Sequence, residues 1–555
     1  MDALADLDLD QIADPTARRV LRVLLNLVEE QQAELERLRA ENQQLRDELA
    51  RLQGGSGRPT IRPQARRPDP AAHSSERERR VPTPRQPRSK VAELVIHRIE
   101  SCEVDPGRLP PDAQFKGYED VIVQDLRLEP ANVCFRKAKW YSPATGKTYL
   151  AALPPGYHGQ FGPGVKALVL ALSYAGEMSE PKLLGFLRSL GVQVADGTLA
   201  GWLIHEQDAF HAEAAAVTDA GLASSPWQHL DDTATRVDGR NRHCFVLGNP
   251  LFTRYLTLPG KDRLTVVDVL RDGRPRAFLL NAAAQTRLDD LKLAARTRQA
   301  LTAFPRQTVV DEATLAAWLR DRLPGLGQQA EKAIRETLAV AAYQASRDGP
   351  VVRLLVGDDA GQWAGVTAEG RALCWVHAGR HFKQLTPCVP QHRELLAAFL
   401  TRFWAYYRDL LAYRDQPSPA EAARLEQVFD TLFATETGYR GLDTRIAATR
   451  ANKAELLVVL AHPEVPLHNN PAELGARQRV RKRDVSFGPR SEAGATAWDT
   501  FQTLVATAAK LGVSFYHYVR DRVTEANALP ALADLIAARA ATLHLGASWT
   551  LAPRS

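Results

Sequence analysis

The chain of 555 residues is poor in sulfur, with five cysteines and two methionines. The cysteines are Cys102, Cys134, Cys244, Cys374 and Cys388, and no two form a Cys-x-x-Cys pair. That excludes a disulfide scaffold and a thiol-rich zinc centre as organising principles. No run approaches the ~18 consecutive apolar residues of a membrane span. Residues 1–15 are acidic, with no basic stretch ahead of an apolar one, so no secretory signal is visible and a reducing cytosol is the expected compartment. Glycine (35) and proline (34) are near average, which excludes a fibrous or wholly disordered chain. Nor is there a large excess of one charge. Lys and Arg number 71 against 65 Asp and Glu, a weak argument for a polyanionic partner.

What is present is unevenly distributed. Residues 54–90 carry ten basic side chains against three acidic ones, among Pro, Gly and Ser and with almost no large apolar residues. Such a segment cannot bury enough surface to offset its ordering entropy. It reads as a linker, either a plain tether or a salt-sensitive, sequence-blind DNA contact. Ahead of it, Leu21, Val28, Leu35, Asn42 and Leu49 alternate three and four residues apart with Leu24, Gln31, Leu38, Leu45 and Leu52. This heptad pattern predicts a coiled coil within residues 1–53. Leu24, Leu35, Leu38, Leu45 and Leu49 would form its dimer seam, and a buried Asn42 would fix register in a parallel pair. The alternative is an amphipathic helix packed on its own domain.

Residues 91–160 mix β-like runs (VIVQDL, KTYLAAL) with turns. Residues 161–220 read as three helices, with Asp196 as N-cap of the third. The pattern fits a helix-turn-helix DNA-binding region and equally any small helical bundle. From Trp227 the pattern turns strand-like: WQHLDDTATRV, RHCFVLGN and LFTRYLTL predict an antiparallel meander. Helical stretches about 283–345 and 382–460 flank the apolar run VVRLLVGDD. Two further helices, 471–482 and 492–511, close the expected fold. On the second, Trp498, Phe501, Val505 and Ala508 share a core-facing side and Gly512 ends the helix. Residues 516–555 read as a tail.

Three acids stand out by context: Asp231 on a strand, Asp358 directly after VVRLLV, and Glu473 near the start of a helix. Carboxylates in such places can converge on hard divalent cations, which take oxygen ligands and leave positions open for phosphate and water. Each has a plainer reading. Asp231 and Asp232 could be turn residues, Asp358 could end a strand, and Asn470-Pro471-Ala472-Glu473 has capping-box spacing. Downstream of Glu473, the run Arg477–Arg483 places Arg477 and Arg481 on the same helix face as the acid. Arg479, Lys482 and Arg483 spread around its end, either along a DNA backbone or as a solvated basic face.

In their order, HLDDTATRV, LLVGDDAGQW, LCWVHAGRHF and HNNPAELGAR resemble the transposases of the insertion-sequence 66 family, part of the DDE superfamily. The resemblance runs from the leucine-rich N-terminal helix to the last predicted helix. It implies an α/β RNase H-like catalytic core (225–515) with α-helical insertions, preceded by a coiled coil and a helix-turn-helix-like DNA-binding region. It implies that Asp231, Asp358 and Glu473 bind two Mg²⁺, with Mn²⁺ able to substitute. It also implies that the protein cuts and joins double-stranded DNA at the ends of a mobile element, in a bacterial cytoplasm and at the nucleoid when on DNA. A homodimer or higher oligomer, accessory proteins from the same mobile element and no membrane partner go with that reading. Cys374, Trp375, His377 and Arg380 match the family's Cys-Trp-x-His-x-x-Arg segment, which would place His377 and Arg380 near the second Asp or a phosphate. The sequence departs from the family at His468, where Asp is common, and at Asp232, where Glu is common. The family's cysteine-rich zinc segment is reduced to Cys102 and Cys134 without paired spacing, so no zinc is expected. Two rivals remain: a catalytically inactive, transposase-derived DNA-binding protein, and a carboxylate-pair hydrolase such as a glycosidase. The latter leaves the leucine heptads and basic runs without a role.

Overall fold

A computed structural model describes residues 12–52 and 94–550; the basic linker expected over 54–90 lies outside the described residues. The first helix, α1 (Pro15–Leu52), is long and apolar along the heptad positions. A two-stranded hairpin follows, β1 (Lys139–Ser142) and β2 (Lys147–Leu150). The run VIVQDL is not a strand. Its β-branched side chains find no partner strand, and β-propensity without pairing does not make a sheet.

Four helices come next: α2 (Pro163–Tyr174), α3 (Glu180–Ser189), α4 (Asp196–Ile204) and α5 (Asp208–Ala223). The third predicted helix is thus two. The break falls where Glu206 takes a left-handed φ of 56°, and buried Gln207 donates its amide to the Trp202 carbonyl at 2.6 Å. Asp196 is the first residue of α4 rather than its cap, and pairs with Arg188 at 3.0 Å.

The centre is a five-stranded mixed sheet of order β5-β4-β3-β8-β9. Its members are β3 (Trp227–Val237), β4 (Arg240–Gly248), β5 (Thr253–Leu258), β8 (Leu354–Gly357) and β9 (Arg371–Leu373). The first three form the antiparallel meander, while β8 and β9 run parallel to β3. Of VVRLLVGDD, only Leu354–Gly357 is strand. Between β5 and β8 lie α6 (Arg263–Leu270), the antiparallel pair β6 (Ala277–Leu279) and β7 (Val309–Asp311), and helices α7 (Ala282–Asp290), α8 (Ala295–Leu301), α9 (Glu312–Arg322) and α10 (Gln328–Gln344). This insertion has its own core around Phe278, Leu315 and Leu338.

After β9 come α11 (Trp375–Lys383), α12 (Pro390–Asp415), α13 (Pro419–Phe433), α14 (Arg440–Ala451), α15 (Lys453–Leu456) and α16 (Val458–Ala461). Their core is aromatic, with Trp375, Phe399, Phe403 and Phe429 fully buried. Helix α17 (Asn470–Ser486) then returns to the sheet, and α18 (Glu492–Lys510) covers its edge. An edge strand exposes unpaired backbone groups. Here Asp499, Thr503 and Thr507, four residues apart along α18, accept from the amides of Thr257, Tyr255 and Thr253 at 2.6–3.2 Å. Of the predicted core face on α18, Phe501 and Ala508 are fully buried and Trp498 and Val505 partly so. Gly512 takes φ 65° just past the helix end.

The described part of the expected tail, residues 516–550, is folded rather than a tail. Helices α19 (Phe515–Val523) and α20 (Leu532–Leu543) pack on α2 and α5, burying Tyr518, Val519, Leu532 and Ile536 completely. No helix among the described residues is long and apolar enough to cross a membrane.

Helix α1 is not free of the rest. Leu25 is buried, Asn26 bridges the Gly438 carbonyl (3.0 Å) and the Arg440 amide (2.9 Å), and Glu29 accepts from the Cys388 and Val389 amides at 2.9 and 2.7 Å. The predicted seam residues Leu24, Leu35, Leu38, Leu45 and Leu49 remain about half exposed.

Candidate active site

Strand alternation decides what can meet. On β3, Asp231 pairs across to Val246 of β4, so the two share a sheet face. Val246 packs with Tyr255, Ala472 and Ala476, which places α17 on that face. The approach is close enough to require glycine: a Cβ on Gly475 would sit 2.6 Å from Val246 Cγ1. Asp232, one residue on, points to the opposite face, 3.4 Å from His243.

The parallel register His229↔Val356 brings Asp358, two residues past the last pair, alongside Asp231. Asp358 is held by Trp363, whose indole donates to Oδ1 at 2.6 Å, and by the Ala360 amide at 3.1 Å. Trp363 is buried against Phe245. Sequence reasoning missed this positioning role, although the residue stands in the quoted run LLVGDDAGQW.

Glu473 lies in the first turn of α17, but not in a capping box. The N-cap is Asn469, and its side chain makes no capping bond. Its amide instead donates to the Leu230 carbonyl (2.9 Å) and faces His229 Nδ1 (3.0 Å), while its backbone N–H meets Cys374 Sγ (3.3 Å). One buried residue, through its side chain and its backbone N–H, thereby ties the strand of Asp231, the start of α11 and the start of α17 together. Glu473 Oε2 accepts from Arg380 at 3.0 Å. Oε1 is buried with no hydrogen-bond partner, 3.6 Å from His377 Nδ1, itself unsatisfied. Arg380 also contacts His377 Nε2 at 3.1 Å.

The electrostatics match a carboxylate cluster short of positive charge. Burial pushes the Asp231 pKa up to about 7; the Asp232 amide opposes this, and the charges of Asp358 and Glu473 add to it. His377 is pushed below its ordinary value by burial, against the pull of Glu473 and with help from Arg380. Burial thus favours the neutral imidazole. Burial takes the Cys374 thiol up to about 12.

The fit to a divalent ion follows from the donors. Three carboxylates and an orphaned buried oxygen on Glu473 suit a hard cation. The potential ligand atoms already within 4.8 Å of one another, among the described residues, are instead those of Cys374, His377 and Glu473. That set does not suit a soft metal as it stands, because the thiol is held protonated and accepts the Asn469 amide.

The basic run divides. Arg477 and Arg481 are exposed. Arg483 reaches the Ala234 carbonyl at 2.5 Å. Arg479 and Lys482, expected at the DNA surface, are buried. Arg479 pairs with Asp499 and bonds Cys244 Sγ (3.0 Å) and Thr257 (3.1 Å). Lys482 donates to the Ser173 carbonyl at 2.6 Å and lies over the Tyr174 and Trp498 rings, at 4.9 Å from each. Both point inward because α17 is enclosed by the sheet and α18 at Arg479 and by α2 and α18 at Lys482. Its buried positions keep their charge only through these partners.

The Transposase IS66 family description matches residues 358–497, the stretch from Asp358 through Glu473 into α18. An uncharacterized protein, y4jO, of Sinorhizobium fredii is 33% identical over 324 residues, which cover 58% of this chain and 99% of that relative. No solved structure matches. The second acid, the His377–Arg380 pair and the Glu473 helix all fall inside the matched stretch, and the chain belongs to the Transposase IS66 family.

Proposed function

We propose that the protein is an active DDE-type transposase, in which Asp231, Asp358 and Glu473 hold two Mg²⁺ ions for cleavage of DNA strands at the ends of an insertion sequence and their transfer to a target. The single observation that carries this reading is the convergence of these acids from β3, the end of β8 and the first turn of α17. The order β5-β4-β3-β8-β9, three antiparallel strands followed by two parallel ones, supports an RNase H-like core. When bound, the ions would activate the attacking oxygen and stabilise the leaving one. Arg380 and His377, which lie beside Glu473, would contact the scissile phosphate. Exposed Arg477 and Arg481 would follow the DNA backbone. A second copy would pair along the α1 seam as a coiled coil, with Asn42 setting its register.

The rival is a DNA-binding derivative without catalysis; the intact acids weigh against it. The test is cleavage of a labelled duplex, taken from the ends of the mobile element, in Mg²⁺ or Mn²⁺. Asp231→Asn, Asp358→Asn and Glu473→Gln should each lower the rate by about 10³-fold or more and combine non-additively, since the ligands act as one unit. Duplex binding should persist. Cleavage by Glu473→Gln at a near wild-type rate would remove Glu473 from the site.

A further inference from the structure

Helix α17 ends in an unusual way. Phe487 takes a left-handed φ of 60°, a conformation that L-residues with bulky side chains avoid and that glycine usually supplies at a helix end. Gly488 follows with φ 89°, so a glycine stands one residue beyond the place where it would relieve the strain. Phe487 is also the most exposed large apolar side chain among the described residues, at 88%. Packing therefore offers no return for either cost. Strain and exposure held together at one residue point to use by a ligand.

The surroundings identify the ligand's chemistry. The Phe487 turn leans on the β3–β4 hairpin: the Asp238 amide donates to the Pro489 carbonyl at 3.2 Å, and Arg483 reaches Ala234. Exposed arginines stand on both segments of this contact, Arg481 and Arg490 on that of Phe487 and Arg236 and Arg240 on the hairpin, while half-buried Arg483 lies 3.9 Å from Asp484. Asp484 and Asp238 are the acids nearby; Glu492 is paired with Arg242 at 2.7 Å. Four exposed arginines on the two segments that meet at a bare ring fit a phosphate backbone with a base on which the ring stacks. Position matters too. Phe487 follows Glu473 by fourteen residues, which at ~1.5 Å per residue is about 21 Å, or roughly six base steps of ~3.4 Å. Exposed Arg477 and Arg481 lie between.

We propose that Phe487 is a wedge that stacks on an unpaired or unstacked DNA base about six base pairs from the cleaved phosphate, while α17 carries the intervening backbone. This rests on the transposase reading and adds a DNA-deforming contact to it. The experiment uses the full chain and duplexes from the ends of the mobile element, with 2-aminopurine placed singly at each position from the third to the ninth base pair inside the cleavage point. Binding should raise the fluorescence several-fold at one or two adjacent positions. Phe487→Ala and Phe487→Gly should abolish the rise, and Phe487→Trp should retain it. The glycine variant should melt at the same temperature or higher, because its φ is no longer strained, so its DNA defect cannot be a folding defect. A wild-type protein that cleaves the duplex with no 2-aminopurine response, or a response that survives in Phe487→Ala, overturns the wedge and leaves the transposase reading intact. A wild-type protein that neither binds nor cleaves the ends overturns both.

Discussion

At the residue scale, the informative groups are those whose charge is out of place. Asp231 has its pKa raised from 3.8 to about 7, chiefly by burial. In metal-free protein the native state therefore keeps a proton that the unfolded chain has released, and stability falls as pH rises from about 4 to about 7. The shift corresponds to a loss of at most roughly 4 kcal/mol. Denaturant curves in chelator should show Asp231→Asn matching wild type near pH 4 and exceeding it above pH 7, with the gap closing when Mg²⁺ is added. Parallel pH profiles would mean that Asp231 holds no such proton in the native state. Arg479 is the opposite case, a buried cation whose partner is equally buried. Arg479→Met should cost about 3 kcal/mol or more by leaving Asp499 unpaired, read as a lower midpoint in urea. If it left stability unchanged and weakened only DNA binding, the expectation of a surface contact would be restored.

At the scale of elements, α1 has one docked face and one exposed face. Arg22, Leu25, Asn26 and Glu29 occupy the face turned to α12 and α14, whereas the heptad seam lies on the other side and stays exposed. Docking and pairing are therefore compatible. The contact has a clear physical centre. Glu29 places a carboxylate at the start of α12, where unpaired N–H groups favour an anion. Burial raises its pKa, but the Cys388 and Val389 amides more than offset that, and it stays below the usual range. Glu29→Ala should loosen this dock by about 1–3 kcal/mol. Hydrogen exchange of the Cys388 and Val389 amides should speed up while that of β3 and β4 does not change. Unaltered exchange there would show that the dock does not depend on Glu29. The heptads made α1 legible as a helix with a seam. The dock was not legible, because Asn26 and Glu29 read as ordinary solvent-facing residues until their partners, hundreds of residues away, are known.

At the scale of the molecule, the long intervals between the three acids are filled by two insertions, each with its own core, and helices that precede and follow the sheet in sequence pack on one another. Helices α19 and α20 bury Phe515, Tyr518, Val519, Leu532 and Ile536 against α2 and α5. At ~1.5–3 kcal/mol per buried side chain that is on the order of 10 kcal/mol, comparable with the whole stability of a typical domain. A chain ending at residue 512 should lose its cooperative melting transition in circular dichroism. A truncated protein with a sharp, wild-type melt would show that the last helices are accessory after all.

Local pattern was enough to determine the strands of the meander and most of the helices, and to single out the heptad positions of α1 and three acids in their order, because strand alternation, helical period and short motifs are written in neighbouring residues. Tertiary structure decided the rest. Whether Glu473 caps its helix or joins a carboxylate cluster depends on Asn469 reaching β3, more than two hundred residues earlier. Whether Arg479 and Lys482 face DNA or the interior depends on β4, β5 and α18 enclosing the first and α2 and α18 the second. Charge sequence alone does not distinguish a solvated face from a buried one when the burying partner lies in another part of the chain.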